Sequence, residues 1–243
     1  MNLLTNKILR SQDDFTDWQT KIQEEGGLIL INKDEGWTSF DIVRKIKYLF
    51  KIKKVGHAGT LDPLASGLVI VAIGKATKLL SKLQNDDKQY VGFIKLGVTT
   101  PSFDRETEEE DECDISHLKD SDITSNIPNF LGEIEQFPPV YSAVKYNGKR
   151  AYEFARKKID ISLESRKVIV SSFIIENIDY PYLKFKIDVS KGFYVRSFAY
   201  DFGKRLNVPS YLYSLQRTRV GEFYLDDALN IEEIESFLND LSN

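Results

Sequence analysis

The stretch Gly56-His57-Ala58-Gly59-Thr60-Leu61-Asp62-Pro63-Leu64-Ala65-Ser66-Gly67 decides how this chain is read. Its glycines allow close approach of the backbone and dihedrals closed to other residues. Pro63 holds the preceding Asp62 out of the helical region, so the carboxylate is presented at a defined angle from a loop that also carries His57. A turn in which Asp62 bonds to its own backbone accounts for the residue types equally well. A single histidine, taken alone, is more often a structural hydrogen-bonder than a catalyst.

Working outward, the loop feeds a strand over residues 68–73. Upstream, residues 28–32 read as a buried strand, followed by a turn at Asp34-Glu35-Gly36. Thr38 or Ser39 can then cap a helix with Ile42, Val43, Ile46, Leu49 and Phe50 on one face and Arg44, Lys45, Lys47 and Lys51 outside it. Downstream, residues 76–83 read as a short helix and 89–96 as a strand. Residues 168–178 and 183–189 alternate apolar and polar side chains around Asp179-Tyr180-Pro181-Tyr182, the pattern of an antiparallel hairpin. Residues 195–206 read as a helix and 211–224 are rich in strand formers. A last helix is expected to start at Asp226 or Asp227 and run through Leu241. Without regular β-α-β alternation or an internal repeat, the class is α+β: a mixed, largely antiparallel sheet flanked by helices. No Pro/Gly/Ser linker divides the chain, so residues 1–243 read as a single domain, with an N-terminal extension over 1–26 and an acidic helix over 226–243.

The composition is that of an ordinary globular protein. The chain has 243 residues, 42% hydrophobic and 29% charged, which is enough for one good core or two modest ones and excludes disorder, collagen and coiled coil. One cysteine, Cys113, and two histidines, His57 and His117, cannot build a disulfide framework or a Cys/His zinc site. The longest apolar stretch, residues 67–74, is too short to span a bilayer, and no signal peptide is visible. A cytoplasmic protein is expected.

A net charge of -4 argues at first against a nucleic-acid partner. By segment the picture reverses. Residues 28–100 hold 12 basic and 6 acidic side chains, and residues 141–221 hold 16 and 7. The acidity is concentrated in residues 101–140, with 12 acidic against 2 basic, and in residues 222–243, with 7 against none. Sixteen cations interleaved with Tyr141, Tyr146, Tyr152, Phe154, Phe193 and Tyr194 suit looped or single-stranded RNA, where cations hold phosphates and rings stack on unpaired bases.

Other motifs fail on inspection. Gly74-Lys75-Ala76-Thr77 lacks the upstream glycine and the Lys-Ser/Thr pair of a P-loop. The acidic run over 106–114 lacks the spaced ligands and central glycine of a calcium loop, and its seven carboxylates demand an exposed setting. There is no Gly-x-Ser-x-Gly elbow. No metal and no organic cofactor are expected.

The residues from Gly56 to Gly67 resemble the catalytic motif of the TruB family of tRNA pseudouridine synthases. The resemblance continues, in family order, through Gly74-Lys75-Ala76-Thr77-Lys78, Lys88-Gln89-Tyr90, Pro138-Pro139-Val140-Tyr141-Ser142-Ala143-Val144-Lys145, Gly148-Lys149-Arg150-Ala151-Tyr152, Ser190-Lys191-Gly192-Phe193-Tyr194-Val195-Arg196 and Leu215-Gln216-Arg217-Thr218. It implies the pseudouridine synthase fold and the isomerisation of uridine to pseudouridine at position 55, in the T-loop of tRNA, without a cofactor. The implied partner is the T-arm stem-loop of tRNA, with no metal, membrane or protein partner.

By the same resemblance Asp62 matches the catalytic aspartate, a carboxylate nucleophile that attacks either ribose C1′ or uracil C6. Arg196 matches the arginine paired with it; a guanidinium beside a carboxylate favours the ionised form. Tyr90 matches the tyrosine that stacks on the uracil and removes the C5 proton. A stacked uridine must be extruded first, and His57 matches the residue that enters the vacated space. Tyr194 and Leu215 match residues lining the base pocket. Lys78 and the segment over about 138–161, which includes Lys145, Lys149, Arg150 and Arg156, match parts that hold the T-arm phosphates. Taken without the family, Leu215 and Tyr90 read as core and Arg196 as a surface phosphate contact.

The chain also departs from the family. Lys33-Asp34 stands where relatives often have Lys-Pro, which leaves Lys33 an open contact. Of the aspartate-rich motif only Asp104 is matched in Thr100-Pro101-Ser102-Phe103-Asp104-Arg105-Glu106. The PUA-like domain that often follows is not expected here. A non-catalytic RNA-binding or tRNA-folding module is the alternative function. It needs no nucleophile and so leaves Asp62, Tyr90 and Arg196 unexplained. A retaining glycosidase would need a second carboxylate beside Asp62, where an arginine is matched instead. A guide-RNA-dependent relative would need extra partner-binding regions.

Overall fold

The computed structural model describes residues 8, 9, 18, 22 and 25–240. Its strands are β1 (Ile8–Leu9), β2 (Gly27–Lys33), β3 (Val55–His57), β4 (Ala65–Ile73), β5 (Lys88–Leu96), β6 (Gly132–Gln136), β7 (Lys145–Tyr146), β8 (Lys149–Arg150), β9 (Arg166–Asp179), β10 (Tyr182–Val189), β11 (Ser210–Val220) and β12 (Phe223–Tyr224). Its α-helices are α1 (Ser39–Phe50), α2 (Leu80–Leu83), α3 (Asp120–Asn126), α4 (Ala151–Ala155), α5 (Val195–Arg205) and α6 (Ile231–Asp240). The chain divides into two compact units, Met1–Gln89 with Gln216–Asn243, and Tyr90–Leu215. The sheet is mostly antiparallel with helices packed on it, the mixed α+β class read from the sequence. No helix among the described residues is long and apolar enough to cross a membrane.

In the first unit β2 and β4 pair antiparallel, from Gly27 opposite Ile73 to Lys33 opposite Gly67. β1 lies parallel to β2, and β3 is antiparallel to β4 with His57 opposite Val71. The C-terminal end of β11, with β12 folded back on it, completes this sheet beside β4. Residues 28–31 and 68–73 are buried without alternation, because both faces of these strands are covered. One face packs Leu28, Leu30, Leu68, Ile70 and Ala72 with Ala58, Leu83, Val220 and Phe223. α1 starts where Thr38 accepts from the Asp41 amide and Asp41 returns the bond to the Thr38 amide, a capping box. Ile42, Val43, Ile46 and Phe50 are its buried face, and the Phe50 ring meets Trp18 edge-on at 5.5 Å.

The quoted stretch is thus a hairpin connection. Its two ends are already strand, in β3 and β4, and only residues 58–64 are loop. The expected helix over 76–83 is a 3₁₀ turn, Gly74–Leu79, followed by α2. The last helix begins later than expected. Leu225–Asp227 form only a 3₁₀ turn, because Leu229 is taken up in a parallel bridge with Ile31: its amide donates to Leu30 O at 2.9 Å and its carbonyl accepts from the Asn32 amide at 3.0 Å. Backbone committed to that bridge is extended, so the helix starts only at Ile231. The predicted end at Leu241 and most of the expected extension over 1–26 lie outside the described residues.

In the second unit the strand order is β11-β5-β10-β9-β6. β9 and β10 form the predicted hairpin, with Asp179 opposite Tyr182. β10 buries every second residue, Leu183, Phe185, Ile187 and Val189, as the alternation requires. α5 lies on this face: Phe198 and Phe202 join Phe130, Phe173 and Phe185 with ring centroids 4.9 to 6.4 Å apart, mostly edge to face. This aromatic cluster anchors the helix whose first turn carries Arg196.

Candidate active site

The loop bearing Asp62 is held from beneath by two buried cations. Lys33, at the end of β2, has no exposed surface, and its Nζ donates to Trp37 O at 2.7 Å, Asp34 O at 3.0 Å and Pro63 O at 3.3 Å. Arg217, on β11, is 1% exposed; it donates to Leu68 O at 2.7 Å, Gly59 O at 3.3 Å and Thr60 O at 3.4 Å. Ser39, the first residue of α1, closes a third point: its Oγ accepts from the Leu61 amide at 2.9 Å and donates to Leu61 O at 3.2 Å. The Ala65 amide donates to Asp62 O at 3.1 Å, a backbone turn made by the carbonyl of this aspartate. Gly59, Thr60, Leu61, Asp62 and Pro63 therefore all have their carbonyls tied, leaving the half-buried Asp62 side chain on a braced backbone.

Electrostatics follow from this burial. Burial pushes Lys33 down to about 8, against the opposing charge of Asp62 and with help from Arg217. Burial also holds His57 below the usual imidazole range; the Gly59 backbone works against this and Arg217 reinforces it. The His57 ring is accordingly neutral at neutral pH. Lys33, open as an RNA contact from sequence, faces carbonyls inside the unit and cannot reach a phosphate.

In the second unit Arg196 is buried at the start of α5. Its Nη1 donates to Tyr141 O at 2.9 Å and Ser102 O at 3.4 Å, and its Nε lies 3.5 Å from Asp104 Oδ2. Asp104 is itself buried, accepting from the Glu106 amide at 2.9 Å, while its carbonyl accepts from Thr100 Oγ1 at 2.6 Å and Ser102 Oγ at 3.1 Å. Tyr194 caps α5 through its backbone: its amide donates to Gln136 Oε1 at 2.7 Å and its carbonyl accepts from Gln136 Nε2 at 2.9 Å. The Arg166 guanidinium lies 5.0 Å over the Tyr194 ring. Tyr90 is buried on β5 and Leu215 half-buried on β11. The structure thus gathers His57, Asp62, Lys33 and Arg217 in the first unit, and Arg196, Asp104, Tyr141 and Tyr194 in the second.

The basic segment forms a small exposed hairpin. Lys145 stands opposite Arg150 and Tyr146 opposite Lys149, with α4 following. Lys145, Lys149, Arg150 and, in the first unit, Lys78 are all exposed. Arg156 is not a free phosphate contact: its Nη2 pairs with Glu106 Oε1 at 3.2 Å while its guanidinium covers the Tyr152 ring. The acidic run is exposed, as its mutual repulsion requires, yet it is fastened. Glu110 pairs backbone with Thr99, and Glu109 accepts from Lys95 at 2.6 Å and Tyr211 Oη at 2.5 Å. Those two bonds hold the Glu109 carboxyl below its ordinary range. The acidic loop therefore reaches the basic segment, which its position in the sequence did not suggest.

Sequence reasoning passed over three parts of this arrangement. Arg217 stood inside a matched motif, so its presence was visible but not its burial. Lys33 follows an apolar strand without a break, a sign of burial that a basic residue disguises. Gln136 carries no local signal, since it acts on backbone 58 residues away.

Comparison with known proteins accords with the motifs. The pattern described as "TruB family pseudouridylate synthase (N terminal domain)" matches residues 47–195. The tRNA pseudouridine synthase B of Chloroherpeton thalassium is 48% identical over 215 residues, covering 86% of this chain and 89% of its own. That of Flavobacterium johnsoniae is 44% identical, covering 88% and 96%. Among solved structures, a chain of the Cbf5-Nop10-Gar1 complex superposes with a TM-score of 0.69 at 28% identity; 88% of this chain matches 54% of that one, so this chain spans about half its length. On this identity and coverage, the chain belongs to the TruB family of pseudouridylate synthases.

Proposed function

We propose that this chain isomerises uridine to pseudouridine in tRNA, at position 55 of the T-loop, with Asp62 as nucleophile. The observation that carries the reading is the braced loop. Two buried cations, Ser39 and the Ala65 amide hold five successive carbonyls, from Gly59 to Pro63, around one half-buried carboxylate. A turn that served only the fold would not need two buried charges, each costly to desolvate. A nucleophile that must form and release a covalent bond does need fixed geometry.

The target base is first extruded from its stack, and His57, neutral at neutral pH, fills the space without adding charge. Tyr194 and Leu215 line the base. The Asp62 carboxylate adds to the nucleoside at ribose C1′ or uracil C6. The N1–C1′ bond breaks, the base turns, and a C5–C1′ bond forms. Tyr90 takes the C5 proton, N1 ends protonated, and the carboxylate is released unchanged, so the isomerisation balances with no outside reactant. Arg196 is assigned as electrostatic partner of the carboxylate, and Asp104 orients its guanidinium. Lys78, Lys145, Lys149 and Arg150 hold phosphates of the T-arm. The reaction belongs to the cytoplasm, where tRNA matures.

Tritium release from a T-arm stem-loop labelled at uridine C5 tests the reading. Wild type is expected to release tritium stoichiometrically and Asp62→Asn not at all. No release by wild type at saturating RNA overturns the enzyme, and release by the Asn variant removes Asp62 from the chemistry.

A further inference from the structure

α1 has two faces, and only one is used by the fold. At 3.6 residues per turn, Phe40, Arg44, Lys47, Tyr48 and Lys51 share an arc of about 100° opposite the buried side chains, and all five are exposed. Phe40 is 65% and Tyr48 77% exposed, two large rings left in water on one strip. Lys53 and Lys54, also exposed, continue the strip beyond the helix.

The neighbouring charges separate this strip from ordinary solvated surface. Within the strip Arg44 pairs with Asp41, and on its flank Lys45 pairs with Glu235 of α6. Among the described residues Lys47, Lys51, Lys53 and Lys54 have no acidic partner. A single exposed ring or a single lysine needs no explanation. Rings alternating with unpaired cations along one line are the composition that binds unpaired nucleotides, the rings stacking on bases and the cations holding phosphates.

Its position says which nucleotides. α1 begins at the Asp62 loop, where Ser39 is bonded to Leu61 in both directions. From there it runs about 18 Å at 1.5 Å per residue, so the strip leads away from the target uridine. Within the same unit Lys78, assigned to the T-arm, lies on the 3₁₀ turn Gly74–Leu79 and not on α1. We propose that the Phe40–Lys51 face of α1, with Lys53 and Lys54, is a second RNA-binding surface, which takes backbone and unpaired bases of tRNA outside the T-arm. The inference rests on tRNA being the substrate and adds where the rest of that molecule is held.

The test compares intact tRNA with an isolated T-arm stem-loop, using Lys47→Ala/Tyr48→Ala/Lys51→Asn. Alanine preserves the helix, and asparagine tolerates the left-handed backbone of Lys51, φ 52°. Intact tRNA is expected to bind about tenfold more weakly, with a log–log salt slope shallower by roughly 1.4 to 1.8 for two lost phosphate contacts. The stem-loop is expected to bind within about twofold of wild type and to release tritium at the wild-type rate. Tyr48→Ala alone is expected to weaken intact tRNA about fivefold at an unchanged salt slope, which separates stacking from charge. Wild-type affinity of the triple variant for intact tRNA overturns the inference, and so does an equal loss on the stem-loop, which would place the strip on the T-arm. A wild type that binds tRNA but releases no tritium sinks the catalytic reading instead, while the binding difference between wild type and variant still decides the α1 surface.

Discussion

Lys33 shows how one residue can serve a site it never touches. Its ammonium donates to three carbonyls, one of them Pro63, next to Asp62. Lys33→Met keeps the volume and removes the donors, leaving buried carbonyls unpaired at a cost of about 3 kcal/mol. Urea unfolding should register that loss, and tritium release should fall in kcat more than in KM, because the loop still forms but is less fixed. The sign of its pH dependence is set by the lowered value. Between about 8 and 10.5 the unfolded chain holds the proton and the folded one does not, so this group's contribution to stability rises with pH across that window. Asp201 runs the opposite way. Burial raises its carboxyl to about 6, with Lys204 opposing, so the folded state keeps a proton that the unfolded chain loses from about 4 upward. Its contribution falls as pH rises to about 6 and stays low above that. Asp201→Asn should therefore raise the melting temperature at pH 7.5 and do so less at pH 4, as thermal unfolding at the two pH values would reveal. A larger gain at pH 4 would contradict the assignment.

Among the elements, β4 and β11 depend on a glycine for their approach. Gly67 has φ +104°, and a Cβ there would lie 2.4 Å from Arg217 O and 2.8 Å from Arg217 N. Gly67→Ala pushes β11 away from β4 and with it the guanidinium that ties Gly59 and Thr60, a loss of roughly 3 kcal/mol. Chemical denaturation and activity should fail together in this variant. If stability is lost while turnover of the folded fraction is intact, Arg217 is not a brace of the loop. Elements of this kind differ in how far they were legible. α1, β2, β5 and the β9–β10 hairpin were readable because apolar periodicity is set by each segment's own burial. The start of α6 was not, because Leu229 is claimed by β2, a partner about 200 residues earlier that leaves no mark on the local pattern. The two ends of the Gly56–Gly67 stretch were read as loop and are strand, since glycine content disguises pairing that β3 and β4 supply to each other.

For the whole molecule, a net charge of -4 conceals two basic segments and a fastened acidic loop. The loop is more than a counterweight: through Glu106 it occupies Arg156 in the basic segment. An exposed pair of this kind is worth about 0.2–1 kcal/mol, equivalent to a factor of about 1.4 to 5 in affinity. Glu106→Gln should tighten RNA binding by that factor at low salt, with the gain disappearing at high salt. Equal binding by wild type and variant at low salt would mean that Arg156 takes no part in holding RNA.

What the sequence determined by itself was the family and the class of fold, because these depend on which residues occur, in what order and with what local period. Asp62, Tyr90, Arg196 and the basic aromatic segment stand out in this way as the candidates for the proposed chemistry. The tertiary structure alone decided which cations are buried and what holds them. Lys33, Arg217 and Gln136 act on backbone carbonyls and amides, and every residue offers those groups whatever its side chain. Their partners are therefore chosen by where the chain passes, which no side-chain pattern encodes. The same reason hid the link between Glu106 and Arg156, 50 residues apart in sequence and 3.2 Å apart in the fold.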